Sequence, residues 1–127
     1  LTMPDFDRSV AVLGWAQEYT ASHNFKATLL TDSATINWDL SSNQVAEVTL
    51  GGNRTFANPT NMRDGGVYIL RIKQDGTGSR TLTWGSAYKW PGNTAPVLTT
   101  AANRTDVMTF ISDGSRMLGG YILNFYP

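Results

Sequence analysis

The stretch Asp64-Gly65-Gly66-Val67-Tyr68-Ile69-Leu70-Arg71-Ile72-Lys73-Gln74-Asp75-Gly76-Thr77-Gly78 decides the fold. Tyr68, Leu70 and Ile72 alternate with Arg71 and Lys73, a two-residue period that lays apolar side chains on one face of a strand and charge on the other. Glycine-rich turns bound the strand on both sides. Asp75-Gly76-Thr77-Gly78 has the chemistry of a hairpin turn and predicts that Thr81-Leu82-Thr83-Trp84 pairs back onto the strand.

Upstream, the same period recurs. Ala34, Ile36, Trp38 and Leu40 alternate with Thr35, Asn37 and Asp39, and Ala46, Val48 and Leu50 alternate with Glu47 and Thr49. Gly51-Gly52-Asn53 supplies positive φ at little cost, so Arg54 to Phe56 is expected to return as a hairpin. Asn58-Pro59-Thr60-Asn61 ends that pairing, because Pro59 has no N–H and restricts Asn58. Downstream, a looser stretch from Gly85 to Asn103 precedes two last strands, Asp106 to Ser112 and Met117 to Phe125, joined by Asp113-Gly114-Ser115. Short strands at this spacing, without intervening helical patterns, predict an all-β fold: an antiparallel β-sandwich, jelly-roll-like, spanning residues 27–127.

Residues 1–26 read differently. Phe6, Val10, Leu13 and Gln17 lie at helical spacing, Val12, Trp15 and Tyr19 lie on a neighbouring stripe, and Asp7 suits an N-cap. A short helix or ordered arm is expected, with Gly14 costing such a helix about 1 kcal/mol relative to Ala. Large apolar groups on so short a segment need another surface, either the chain's own β domain or a neighbouring subunit. Phe6, Val10, Leu13, Trp15 and Tyr19 are therefore candidate partner-binding residues.

Composition narrows the functions. A chain of 127 residues buries roughly two-thirds of its unfolded surface on folding and so needs neither metal nor disulfide to hold one domain together. Ten Lys+Arg balance ten Asp+Glu, and without a basic block nucleic acid is not an expected partner. No apolar run approaches the length of a membrane span, and no segment resembles a secretion signal. The absence of cysteine removes thiolate chemistry and says nothing about redox compartment.

No catalytic set assembles in the sequence, and no enzyme activity, cofactor or metal is expected. His23, the only histidine, has no Ser or Cys at a spacing that would make a nucleophile and base. Asp5 with Asp7, or Asp32 with Asp39, could be imagined as an acid and base pair, but helix-start and turn roles account for them. Asp64, Asp75 and Asp113 each precede glycine without the ligand spacing of a calcium loop, which leaves turn geometry as their role. Asn53-Arg54-Thr55 and Asn103-Arg104-Thr105 fit the glycosylation pattern, which would be accidental if the protein is made in bacteria. Trp84, Tyr88, Trp90 and Pro91 form the one cluster with a binding flavour. It can plug the end of the sandwich, face a protein partner, or stack on a sugar ring, and Tyr88 and Trp90 join the candidate partner-binding residues.

From Asn37 to Pro127 the chain resembles a β module of tailed-bacteriophage virion surface proteins, found in tail fibres and in capsid fibres and decorations. The resemblance rests on Val48-Thr49-Leu50 before Gly51-Gly52-Asn53-Arg54-Thr55, on Asn58-Pro59-Thr60-Asn61, on Asp64-Gly65-Gly66, and on Leu70 to Gly78. It continues through Arg80 to Gly85, Tyr88-Lys89-Trp90-Pro91-Gly92 and Asp106 to Phe110. It implies a homotrimer and a structural or adhesive role on the virion surface. The first expectation is a capsid decoration, cement or head-fibre subunit that docks on the major capsid protein or another virion protein through its N-terminal segment. The alternative is the receptor-binding or distal domain of a tail fibre, meeting host-surface glycan.

Overall fold

The computed structural model describes residues 14, 16 and 18–127. The helix expected around Phe6 to Gln17 lies outside the described residues, save for Gly14 and Ala16. Between Glu18 and Ala27 the chain forms neither helix nor strand.

Nine strands follow: β1 (Thr28–Leu29), β2 (Thr35–Ile36), β3 (Val45–Leu50), β4 (Arg54–Phe56), β5 (Val67–Gln74), β6 (Leu82–Trp84), β7 (Tyr88–Lys89), β8 (Thr105–Ser112) and β9 (Met117–Phe125). Among the described residues a single 3-10 turn, Pro91–Asn93, interrupts them. Six strands form one sheet in the order β1-β3-β5-β8-β9-β7, and three form a second in the order β2-β4-β6. The expected all-β class holds, and the period read in β3 and β5 is the burial observed. Ala46, Val48, Leu50, Tyr68, Leu70 and Ile72 are all buried in one core with Ile36, Trp38, Phe56, Met108, Phe110 and Met117.

The strand pairing differs from the antiparallel, jelly-roll expectation. β1-β3, β3-β5 and β7-β9 are parallel, as are both pairs of the smaller sheet, and only β5-β8 and β8-β9 are antiparallel. Neither predicted upstream hairpin forms. β4 pairs with β2 and β6 rather than with β3, and β5 pairs with β3 and β8 rather than with β6. The hairpin around Asp113-Gly114-Ser115 does form.

Parallel neighbours need a connection that carries the chain back along the strand, a task helices usually perform. Here each return run is a strand of the other sheet. The chain passes from β1 to β2, β3 to β4 and β5 to β6, crossing the core each time, so the first six strands wind like coils of a β-solenoid. The alternation of apolar and polar residues is identical for either pairing, which is why the glycine turns were read as hairpins.

Hydrogen bonds stack the corners of successive coils. The Gly51 N–H and the Arg54 guanidinium both donate to the Asp32 carboxylate, Arg54 Nε at 2.8 Å. The Thr81 N–H in turn donates to Asn53 Oδ1 at 3.0 Å. Asp32 is held below its ordinary value by the Arg54 hydrogen bond first and the Gly51 N–H next. At the opposite corners, Asn58 Oδ1 accepts from the Ala87 N–H at 2.8 Å. Gly85 lies so close to Asn58 that a Cβ there would collide with it.

Two buried polar side chains fix the remainder. Gln74 Nε2 donates to the carbonyls of Arg80 and Thr99, and its Oε1 accepts the Arg80 N–H at 2.9 Å. Asp106 accepts from the Thr99 N–H and hydroxyl, both at 2.7 Å, and from the Asn124 N–H at 2.9 Å. Together they pin the otherwise irregular segment after Asn93 onto β5 and β8, satisfying backbone groups that would otherwise be buried without partners.

Candidate functional site

Because β1, β3 and β5 are parallel, the loops that precede them meet at one end of the large sheet. They frame an open groove of about 670 Å³, lined by residues 24–26, 40–44 and 63–66 and by Tyr68. The β8-β9 turn reaches the same end, since Gly65 N–H donates to the Ser112 carbonyl and Ser112 N–H to the Gly66 carbonyl.

The groove's walls are held by local hydrogen bonds. Asp39 Oδ1 accepts from the Ser41 N–H at 3.0 Å, the Ser41 hydroxyl at 2.7 Å and Asn61 Nδ2 at 2.7 Å. The Asn61 and Ser41 bonds hold the Asp39 carboxyl below its ordinary value. Asn43 Oδ1 accepts from the Val45 N–H, and Gln44 Nε2 donates to the Val67 carbonyl. Gly66 is required by packing, because a Cβ there would strike the Tyr68 ring.

The lining combines the hydroxyls of Ser41 and Ser42, the amides of Asn24, Asn43 and Gln44, and the charges of Lys26, Arg63 and Asp64. None of the ion pairs among the described residues uses these three charges. Phe25, half exposed, supplies an aromatic face. It continues a stack in which His23 lies 4.4 Å from Tyr19 and 5.5 Å from Phe25 between ring centroids. Hydroxyl, amide and mixed charge beside aromatic rings suit a polyhydroxylated ligand: the polar groups meet its hydroxyls and the ring faces its C–H surface.

The residues singled out in the sequence are dispersed. Phe6, Val10, Leu13 and Trp15 lie outside the described residues. Tyr19 is exposed, in the stack with His23. Tyr88 and Trp90 are core residues, 4% and 8% exposed, and are not displayed at a tip as the alternative reading required. Trp90 meets Trp84 at 4.9 Å, Phe110 at 5.5 Å and Tyr121 at 6.0 Å, edge-on or tilted, the geometry aromatic pairs prefer. Tyr88 packs on Phe56, Trp84 and Phe110, and burial holds its phenol above the ordinary value.

The aspartates before glycine are turn residues. Asp75 Oδ1 accepts from the Thr77 and Gly78 N–H groups and Asp113 Oδ1 from those of Ser115 and Arg116, while Arg80 and Arg116 pair with the two carboxylates. Among the described residues no cluster of three His, Cys, Asp or Glu side chains could hold a metal ion, and no helix is long and apolar enough to cross a membrane. Phe25, Lys26, Ser41 to Gln44 and Arg63 were missed as site residues. They form no motif in the sequence and come together only through parallel pairing.

Residues 30–117 match a protein family described as "Putative phage tail fibre C-terminal domain". Comparison with curated proteins and with solved structures finds no match. The matched span takes in all but the first and last strands of the fold and two of the three loops that line the groove.

Proposed function

We propose, from the premise that the chain belongs to the phage tail fibre C-terminal domain family and is a structural component of a phage virion, that it is a host-contacting domain of a tail fibre. The groove at the starting ends of β1, β3 and β5 is its contact site, and a host-surface polysaccharide is its ligand. The observation that carries this reading is the groove itself, open and polar with an aromatic wall, in a tail-fibre domain.

The domain binds and does not cleave. Its ligand is held by hydroxyl and amide hydrogen bonds and by stacking on Phe25, interactions that are individually weak and gain strength when several copies engage one surface. The family favours this reading over a capsid decoration or cement subunit, whose docking residues Phe6, Val10, Leu13 and Trp15 lie outside the described part of the chain.

The test uses the purified chain and polysaccharide extracted from the envelope of a bacterium that the phage infects, with binding read by calorimetry. Phe25→Ala and Arg63→Ala should weaken binding by about tenfold each, corresponding to roughly 1.4 kcal/mol per lost contact, and leave the polymer's length unchanged on prolonged incubation. Unaltered affinity in both variants, or progressive shortening of the polymer, overturns the reading.

A further inference from the structure

β6 ends the small sheet and β7 ends the large one, and residues of both strands line a single pocket of about 400 Å³. Trp84, Tyr88 and Trp90 form part of its wall, with ring centroids 4.9 Å apart for Trp84 and Trp90 and 5.1 Å apart for Trp84 and Tyr88. Tyr88 and Trp90 are 4% and 8% exposed, and Trp84 is partly buried. Nε1 of Trp84, Nε1 of Trp90 and the Tyr88 hydroxyl are all enclosed, and none has a hydrogen-bond partner in the protein. Buried polar groups are nearly always paired, because the bonds they give up to water must be made again inside. Three unmade bonds around one pocket point to a ligand that completes them.

The chemistry of that ligand is restricted. An indole N–H only donates, whereas a phenol donates or accepts. The ligand therefore brings an acceptor for the indoles and an apolar part for the ring faces. A carboxylate fits poorly. Lys89, the cation in the lining, alternates with buried Tyr88 along β7 and stands opposite Leu118 of β9 in the register, so its charge is carried on the outer side of the sheet. A carboxylate entering among the rings would be buried without a paired charge. An acetamido group fits: its carbonyl oxygen has two lone pairs for the indoles, the Tyr88 oxygen can accept its N–H, and its methyl lies against the rings. Ser86 and Asn93, both exposed in the lining, offer a hydroxyl and an amide to the hydroxyls of an attached sugar ring.

We propose that this pocket binds the acetamido group of an N-acetylated amino sugar, with Trp84 and Trp90 donating to its carbonyl oxygen and Tyr88 accepting its N–H. The donors are enclosed in the free protein, so residues 91–95, exposed throughout and outside any strand, shift to admit the group. The pocket shares no residue with the groove at the loop end, and the two assignments stand or fall separately.

The probe is the methyl glycoside of N-acetylglucosamine, added to the isotope-labelled chain and followed by NMR. Trp84→Phe and Trp90→Phe each delete one indole N–H signal and so identify it. Both signals should move downfield as glycoside is added, as an N–H does on gaining an acceptor. The Trp38 signal should stay, since its Nε1 also lacks an acceptor but Trp38 lines neither the pocket nor the groove. Tyr88→Phe removes an oxygen that makes no bond in the fold, so this variant should keep its cooperative thermal transition and bind the glycoside roughly two- to tenfold more weakly. Methyl glucoside, which lacks the acetamido group, and methyl glucuronide, which carries a carboxylate, should leave the indole signals in place. Unmoved indole signals at millimolar glycoside, equal movement with either control sugar, or unchanged affinity in Tyr88→Phe each overturns the proposal. Shifts confined to residues 24–26, 40–44 and 63–66 overturn it as well, while supporting the groove.

Discussion

Replacing Trp90 by Ala separates packing from display. The indole is 8% exposed and wedged among Trp84, Phe110 and Tyr121, with Gly119 beneath it. A Cβ at Gly119 would stand 2.7 Å from Trp90 Cζ3 and 2.9 Å from Phe110 Cε1, so the ring rests almost on bare backbone and the site has little room to collapse. Truncating a buried Trp in such a place costs about 3–5 kcal/mol. For a domain of this size that is a fall in Tm of roughly 12–20 °C. Gly119→Ala alone should destabilise by about 1–3 kcal/mol through overpacking. In the double variant the new methyl enters the space the indole vacated, so the two losses should not add. Their coupling should favour the double variant by about 1 kcal/mol or more. Urea unfolding of the four proteins closes the cycle. A Trp90→Ala variant within about 0.5 kcal/mol of wild type, the range of an ordinary surface substitution, would refute the packing argument and return Trp90 to the surface.

Other predictions follow from the polar framework. Gln74→Leu removes three hydrogen bonds to the Arg80 and Thr99 backbone and should cost about 2–4 kcal/mol, with new protease cleavage between residues 75 and 100 as the local readout. Acid should act through Asp75 and Asp113, each held at about 2 against an ordinary 3.8 by its arginine hydrogen bond first and by backbone N–H groups. Because folding depresses both values, their stabilisation is complete above about pH 4 to 5 and is lost as pH falls from there through 2. Tm measured against pH should be flat near neutrality and decline below pH 4, and Asp75→Asn should make that decline shallower.

The longer strands were legible in the sequence, and their partners, save in the β8-β9 hairpin, were not. Two-residue alternation at Ala46 to Leu50 and Tyr68 to Ile72 reports burial of one face, and burial is what the structure shows. It carries no information on whether the next strand joins the same sheet or crosses the core. At Gly51-Gly52-Asn53 the chain makes an arch rather than a hairpin, and what fixes the arch is Asp32, 19 residues from Gly51 in sequence. Only the tight turn at Asp113-Gly114-Ser115, closed by its own Asp113 side chain, is determined locally enough to be read correctly. The site suffered from the same blindness. Phe25, Asn43 and Arg63 are distant in sequence and become neighbours because parallel coils align their entry loops. Tyr88 and Trp90 drew attention as aromatics in a polar, proline-containing loop, yet their neighbours Trp84 and Phe110 draw them inward.

Backbone amide shifts of the labelled chain, followed by NMR as host envelope polysaccharide is added, test the central claim most directly. The account predicts perturbations concentrated at residues 24–26, 40–44 and 63–66, the rim of the groove. Shifts confined to the opposite corners around Gly51 to Asn53 and Ala101 to Asn103, or to the outer sheet face at Ile111 and Ile122, would contradict it.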